Sequence, residues 1–390
     1  MIQKTSILKI VVLAFTALVV IAVVVLSFYF AASPIKEKKH DEHVSNSVPI
    51  LDRIKTNPDP TDSKNSDENE QNFLSKFPKD YIQIQGIIDN PLRPYVEIKV
   101  GTPPQTFRML LDTGWRYFWV NAAPNLVGSI FSTFFDKSKS STFQDDGIIN
   151  DGAHGVDGFC GKETVQLGNT VVNNMHICFG EEFSATRFPR FVGFDGIIGL
   201  TPGSVFLSEI ATLLPSITEK AFCFVPNVYK KVGYHFEFDF VVGNCGSDKP
   251  MISTQCSSLW YCNVANDITV IDEAGNKKKL MMSNKSFMFD TGAEVLYIST
   301  TDFERYKELI GGSVDNLKAY ELQMEFGDLK FSYHTDRHPM AVGSGAVLFG
   351  WVFFRDRFVR WDYESVTISY LKDEDFHCHL NGAYMQLKSA

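Results

Sequence analysis

Two short stretches carry the residue types that could do chemistry: Met109-Leu110-Leu111-Asp112-Thr113-Gly114 and Phe287-Met288-Phe289-Asp290-Thr291-Gly292. In each, three apolar residues run into Asp-Thr-Gly. A second apolar patch follows, Phe118-Trp119-Val120 in the first and Val295-Leu296-Tyr297-Ile298 in the second. A given tripeptide turns up by chance in a chain this long only about one time in twenty, and two copies with matching flanks are far rarer. A lone carboxylate at the end of a buried strand is costly and would stay protonated. Two of them, brought face to face, can do more. Like charges held about 3 Å apart cannot both ionise, so one proton serves the pair. The ionised Asp can then act as a base on a water, while its protonated partner donates to the carbonyl oxygen under attack. That is amide hydrolysis through a non-covalent tetrahedral intermediate, with neither metal nor cofactor. Thr113 and Thr291 can tie the two loops together from beneath, and Gly114 and Gly292 let backbone N–H groups approach the carboxylates.

The elements that must position these residues are strands. Apolar runs of this length bounded by Gly suit buried strands. From Tyr95 to Val100 polar and apolar residues alternate, Gly101-Thr102-Pro103-Pro104 turns the chain, and Thr106 to Leu111 returns into Asp112. Further strands are expected at Thr164–Leu167, Met175–Phe179, Phe222–Val225, His235–Val242, Leu259–Val264 and Asp267–Ile271. Val205, Phe206, Ile210, Leu213 and Leu214 repeat at helical spacing behind Ser204 and before Pro215. Thr301-Asp302-Phe303-Glu304 reads as a capping box ahead of a Phe303, Tyr306, Ile310 stripe. The spacing also suggests internal symmetry. Each Asp-Thr-Gly is followed by a helix and later by an apolar-apolar-Gly stretch, Gly196-Ile197-Ile198-Gly199 and Val347-Leu348-Phe349-Gly350.

The whole chain has 390 residues, 44% of them apolar and 21% charged, which suits a globular protein with a large core. Its 33 Phe residues call for large packed interfaces or a wide apolar cleft. A net charge of −9, with no basic block beyond Lys277-Lys278-Lys279, argues against a nucleic-acid partner. Ile10 to Ala32 is uncharged, apolar and long enough to cross a bilayer, so it reads as a transmembrane signal-anchor or, given Ala31-Ala32-Ser33, a cleaved signal peptide. Either places the body in the lumen of the secretory or endolysosomal pathway or outside the cell. Seven cysteines fit that compartment, with Cys223–Cys245 and Cys256–Cys262 as plausible local pairs. Residues 33–78 are polar and poor in aromatics, a stalk, disordered linker or pro-segment. His377-Cys378-His379 is better read as a tail than as a metal cluster, since no fourth ligand accompanies it.

Taken together, the chain resembles the pepsin-type eukaryotic aspartic proteases. The likeness runs from Tyr95–Gln105 through Leu111–Gly114, Phe118–Val120, Phe194–Leu200, Phe289–Gly292 and Leu348–Gly350 to Trp361-Asp362-Tyr363. It implies an all-β, bilobal double-barrel fold with a few short helices, an active-site cleft between the lobes, and a flap hairpin closing over it. The lobes would be residues 79–220 and 221–373, followed by a tail, 374–390, and the catalytic domain would be monomeric. Asp112 and Asp290 would be catalytic, with a peptide or protein as substrate. Three positions depart from the family pattern. Trp115 and Ala293 stand where hydroxyl residues usually bond the outer carboxylate oxygens, which implies a pair that titrates higher than usual. Asp151, beside Gly152, occupies the place of a flap Tyr that normally bonds across to a Trp matching Trp119. These departures leave two readings open: an endopeptidase, or a membrane-tethered peptide-binding relative with weak or no turnover.

Overall fold

In a computed structural model of the chain, the described residues are 81–89, 93–122, 133–151, 156–183, 193–232, 235–245, 251–272, 274–311, 320–335, 340–341, 347–351, 354 and 357–371. The apolar span, the polar stretch to residue 78, the tail from 374 and Gly152 lie outside them. Everything described falls in one compact unit.

The N-terminal half contributes β1 (Tyr81–Asp89), β2 (Arg93–Val100), β3 (Gln105–Asp112), β4 (Phe118–Asn121), β5 (Gln144–Asp151), β6 (Val156–Leu167), β7 (Thr170–Phe183) and β8 (Gly196–Gly199). Pairing runs β2-β3-β8-β4-β7-β6 and closes from β6 back to β2, a six-stranded barrel. The alternation in β2 explains the closure: Val96, Ile98 and Val100 are buried in the barrel while Glu97 and Lys99 face out. Cys160 and Cys178 sit opposite one another on β6 and β7 and are disulfide-bonded, a pair the sequence did not single out. Helix α1 (Val205–Leu213) is capped by Ser204, whose Oγ accepts from Leu207 N at 3.1 Å. Its buried Phe206 meets Phe118 edge-on, with ring centroids 5.5 Å apart.

The second half adds β9 (Ala221–Val232), β10 (His235–Gly243), β11 (Met251–Gln255), β12 (Tyr261–Asn263), β13 (Ile268–Ile271), β14 (Lys277–Leu280), β15 (Ser286–Phe289), β16 (Leu296–Ile298), α2 (Thr300–Leu309), β17 (Tyr320–Phe326), β18 (Leu329–Thr335), β19 (Met340–Ala341), β20 (Leu348–Phe349), β21 (Val359–Asp362) and β22 (Thr367–Leu371). One sheet joins the halves. It runs β11-β22-β21-β9-β10-β1 and continues into β2, with β1 and β10 antiparallel from Tyr81↔Gly243 to Ile88↔Phe236. Aromatic rings cover this sheet: Trp361 stacks on Phe222 at 5.3 Å, and Trp351 lies 4.9 Å from Phe224 and 5.5 Å from Phe238. The fold is mainly β and bilobal, and much of the phenylalanine lies in its packed core.

The internal symmetry is real in the strands. β3 pairs parallel with β8, β8 antiparallel with β4, and β4 parallel with β7. β15, β20, β16 and β19 repeat that pattern in order. The helices do not share it. α1 follows β8, whereas α2 precedes β20.

Three local expectations need correction. The strand expected from Leu259 begins at Tyr261, because Trp260 has φ +58° and its N–H bonds to Ser257 O, making a turn inside the Cys256–Cys262 loop. The strand expected from Asp267 begins one residue later. The cap of α2 is Ser299, not Thr301: Ser299 Oγ accepts from Asp302 N, and the Asp302 carboxylate accepts from Ser299 Oγ in return. Asp302 is fully buried and also accepts from Ser283 N and Oγ and from Arg305. The Cys223–Cys245 and Cys256–Cys262 disulfides both form.

Candidate active site

Asp112 ends β3, and Asp290 directly follows β15. Each is the point where an apolar strand leaves the core of its half. The parallel partner strand fixes both exits. On the first side Leu200 N bonds to Asp112 O at 2.9 Å and Thr201 N to Trp115 O at 3.1 Å. On the second, Asp290 N bonds to Phe349 O at 3.1 Å and Trp351 N to Ala293 O at 2.7 Å. The turns match as well, since Trp115 N and Ala293 N each reach back to the carbonyl of their own Asp.

The threonines join the two loops reciprocally. Thr113 Oγ1 accepts from Thr291 N at 2.9 Å and donates to Phe289 O at 2.8 Å. Thr291 Oγ1 accepts from Thr113 N at 3.0 Å and donates to Leu111 O at 2.7 Å. Both are fully buried, so each bond lies away from competing water. The glycines act on both carboxylates at once. Gly114 N donates to Asp112 Oδ1 at 2.8 Å and Gly292 N to Asp290 Oδ1 at 2.9 Å. Each glycine also faces the opposite acid: a Cβ on Gly114 would stand 2.7 Å from Asp290 Cγ, and one on Gly292 2.5 Å from Asp112 Cγ.

The two carboxylates face each other across the seam, each lying against the glycine of the opposite loop. Both are half-buried, yet protein packs closely enough around Asp112 that desolvation dominates its titration. Burial pushes its carboxyl well above the ordinary value of 3.8, and the charge of Asp290 pushes it the same way. The Gly114 N–H and the Arg93 guanidinium pull against this. Two acids so placed can share one proton, an arrangement able to activate a water and polarise a carbonyl.

Of the remaining expected residues, Trp119 is buried in β4 among Tyr95, Leu110, Phe194 and Ile197, with Trp115 and Tyr117 packed against that cluster. Trp115 is therefore accommodated by apolar contact. Asp151 ends β5, opposite Asp157 of β6 in the hairpin register. Sequence reasoning missed Arg93 and Glu294. Arg93 is 8% exposed, its Nε lies 3.8 Å from Glu294 Oε1, and its guanidinium sits 5.1 Å from the Phe194 ring centroid. The hairpin register held the clue, since counting back from the Gly101–Pro104 turn sets Arg93 across from Asp112.

The eukaryotic aspartyl protease family model matches residues 94–343. Vacuolar protease A of Arthroderma otae is 26% identical over 244 residues, 57% of this chain and 58% of that protein. Pregnancy-associated glycoprotein 2 of Sus scrofa is 29% identical over 191 residues, 42% of this chain and 44% of that protein. Cathepsin D of Gallus gallus is 29% identical over 136 residues, 32% and 33% of the two chains. The chain thus spans less than two thirds of the length of each of these relatives.

Proposed function

The chain belongs to the eukaryotic aspartyl protease family, and from that premise we propose that it is an aspartic endopeptidase with Asp112 and Asp290 as its catalytic pair. The observation that carries the reading is the face-to-face placement of the two carboxylates, each against the opposite loop's glycine, with the loops held by the crossed Thr113 and Thr291 bonds. A water lodged between the acids loses a proton to the ionised one and attacks the peptide carbon. The protonated acid donates to the carbonyl oxygen, giving a tetrahedral diol. Transfer of a proton to the amide nitrogen then releases the amine, and the pair returns to its starting state. Because the proton is shared, the acidic and basic roles belong to the pair and not to either residue alone. The hairpin of strands β5 and β6 supplies the flap that covers the substrate, with Asp151 at the end of β5 opposite Asp157.

A second reading, a peptide-binding homologue with little turnover, is favoured by the indole and methyl at 115 and 293, which offer the carboxylates no hydroxyl. A fluorogenic peptide assay from pH 3 to 7, with a statine-type inhibitor as control, separates the two. The first reading expects cleavage that Asp112→Asn and Asp290→Asn each abolish. Inhibitor binding without any turnover would establish the second. Three disulfides and the vacuolar relative support a lumenal or extracellular place for a monomeric body, held by the Ile10–Ala32 anchor or released by its cleavage. Carbonate extraction of membranes decides between those fates.

A further inference from the structure

Arg93 stands beside the acid pair and has no part in the steps above. In the β2–β3 ladder Tyr95 lies opposite Leu110 and Glu97 opposite Arg108, so extending the register two residues sets Arg93 across from Asp112. Residues two apart on a strand share a face. Arg93 and Tyr95 therefore lie on the face that carries Leu110 and Asp112, outside the barrel core. A guanidinium keeps its proton in proteins, and a buried charge persists only with partners that fix it. Glu294 does so from the far side of the seam, four residues after Asp290, and Phe194 lies against the guanidinium. The groups facing Arg93 are Glu294, Asp112, Tyr297 and Asp290, with Asp89 of β1 opposite it in the register.

Between a neutral, a singly charged and a doubly charged acid pair, a fixed cation nearby favours the more negative state at each step, and a fixed anion opposes it. The side chains at 115 and 293 bring no hydroxyl to share this task. We propose that Arg93 and Glu294 are opposed positioning residues that set the pH range over which Asp112 and Asp290 share a single proton. Their role is electrostatic and is exerted through the acid pair. The proposal rests on the endopeptidase reading for its kinetic readout alone.

A merely structural role for the same ion pair gives a different pattern, because Arg93→Met and Glu294→Gln break one and the same contact. Under the proposal their effects on the pH profile of kcat/KM are opposite. With each profile normalised to its own maximum, R93M falls about threefold on the acidic limb and gains on the alkaline limb, since loss of a half pH unit is that factor. E294Q gains on the acidic limb and falls on the alkaline one, while R93K, which keeps the charge, follows the wild type. A second measurement, titration of the ¹³C-carboxyl signals of Asp112 and Asp290, needs no turnover. If the wild type cleaves nothing, the endopeptidase reading fails and this titration still decides the role of Arg93. Displacement of R93M and E294Q in the same direction, no displacement in either, or R93K behaving like R93M overturns the proposal.

Discussion

Replacing Gly292 by Ala tests the geometry of the acid pair at its tightest point. Neither Gly292 nor Gly114 needs glycine for its backbone angle, as neither has a positive φ. What excludes a side chain is the acid across the seam. A Cβ at 292 would lie 2.5 Å from both Cγ and Oδ2 of Asp112. Non-bonded carbon atoms rest at about 3.5–4.0 Å, so the Asp112 carboxylate must retreat by about 1 Å. A misplacement of about 1 Å in a reacting constellation costs on the order of a hundredfold in rate, or roughly 2.7 kcal/mol of transition-state stabilisation. The expected result is a Gly292→Ala enzyme with kcat down about a hundredfold while its melting transition stays cooperative. Gly114→Ala acts likewise through Asp290. The assay is kcat/KM on a fluorogenic peptide, run beside thermal melting so that unfolded enzyme is not counted as inactive. A folded Gly292→Ala protein cleaving at the wild-type rate would refute the placement of the two carboxylates.

Two further outcomes follow from the same contacts. Thr113→Val keeps the shape but strands the buried Thr291 N–H and removes a donor from Phe289 O, which costs about 1–3 kcal/mol for each group left unmade. Urea unfolding should show that loss, with Thr113→Ser retaining most of the stability; equal midpoints for Val and Ser would contradict the crossed-bond account. Asp112 binds its proton more tightly folded than unfolded, so its contribution to stability is fully present below the ordinary value of 3.8 and is lost as pH rises through the higher folded value. Asp112→Asn should therefore gain stability relative to the wild type as pH rises from about 4 toward neutrality, a trend read from melting temperatures; a constant difference across that range would count against a raised Asp112.

The acid pair was legible in the sequence because each Asp ends a run of core residues, a placement too costly to be idle. The same runs gave away the barrel strands, since alternation such as Val96, Ile98 and Val100 has one physical cause. Helix α1 was legible from Ser204 and its apolar spacing. Long-range features were not. Cys160 and Cys178 meet only because β6 and β7 share a register, and Arg93 meets Glu294 only across the seam between halves. Local propensity also misled where a tertiary demand overrode it. Trp260 takes a left-handed angle to bury its ring and reach Leu200 O, and Asp302 is drawn inward to cap α2 from its third position.

The most direct test of the central claim is the dependence of kcat/KM on pH for the wild-type enzyme with a fluorogenic peptide. Two acids sharing one proton predict a bell, rising as the first proton leaves the pair and falling as the second does. A rate that climbs steadily through neutrality, with no descending limb, would contradict it.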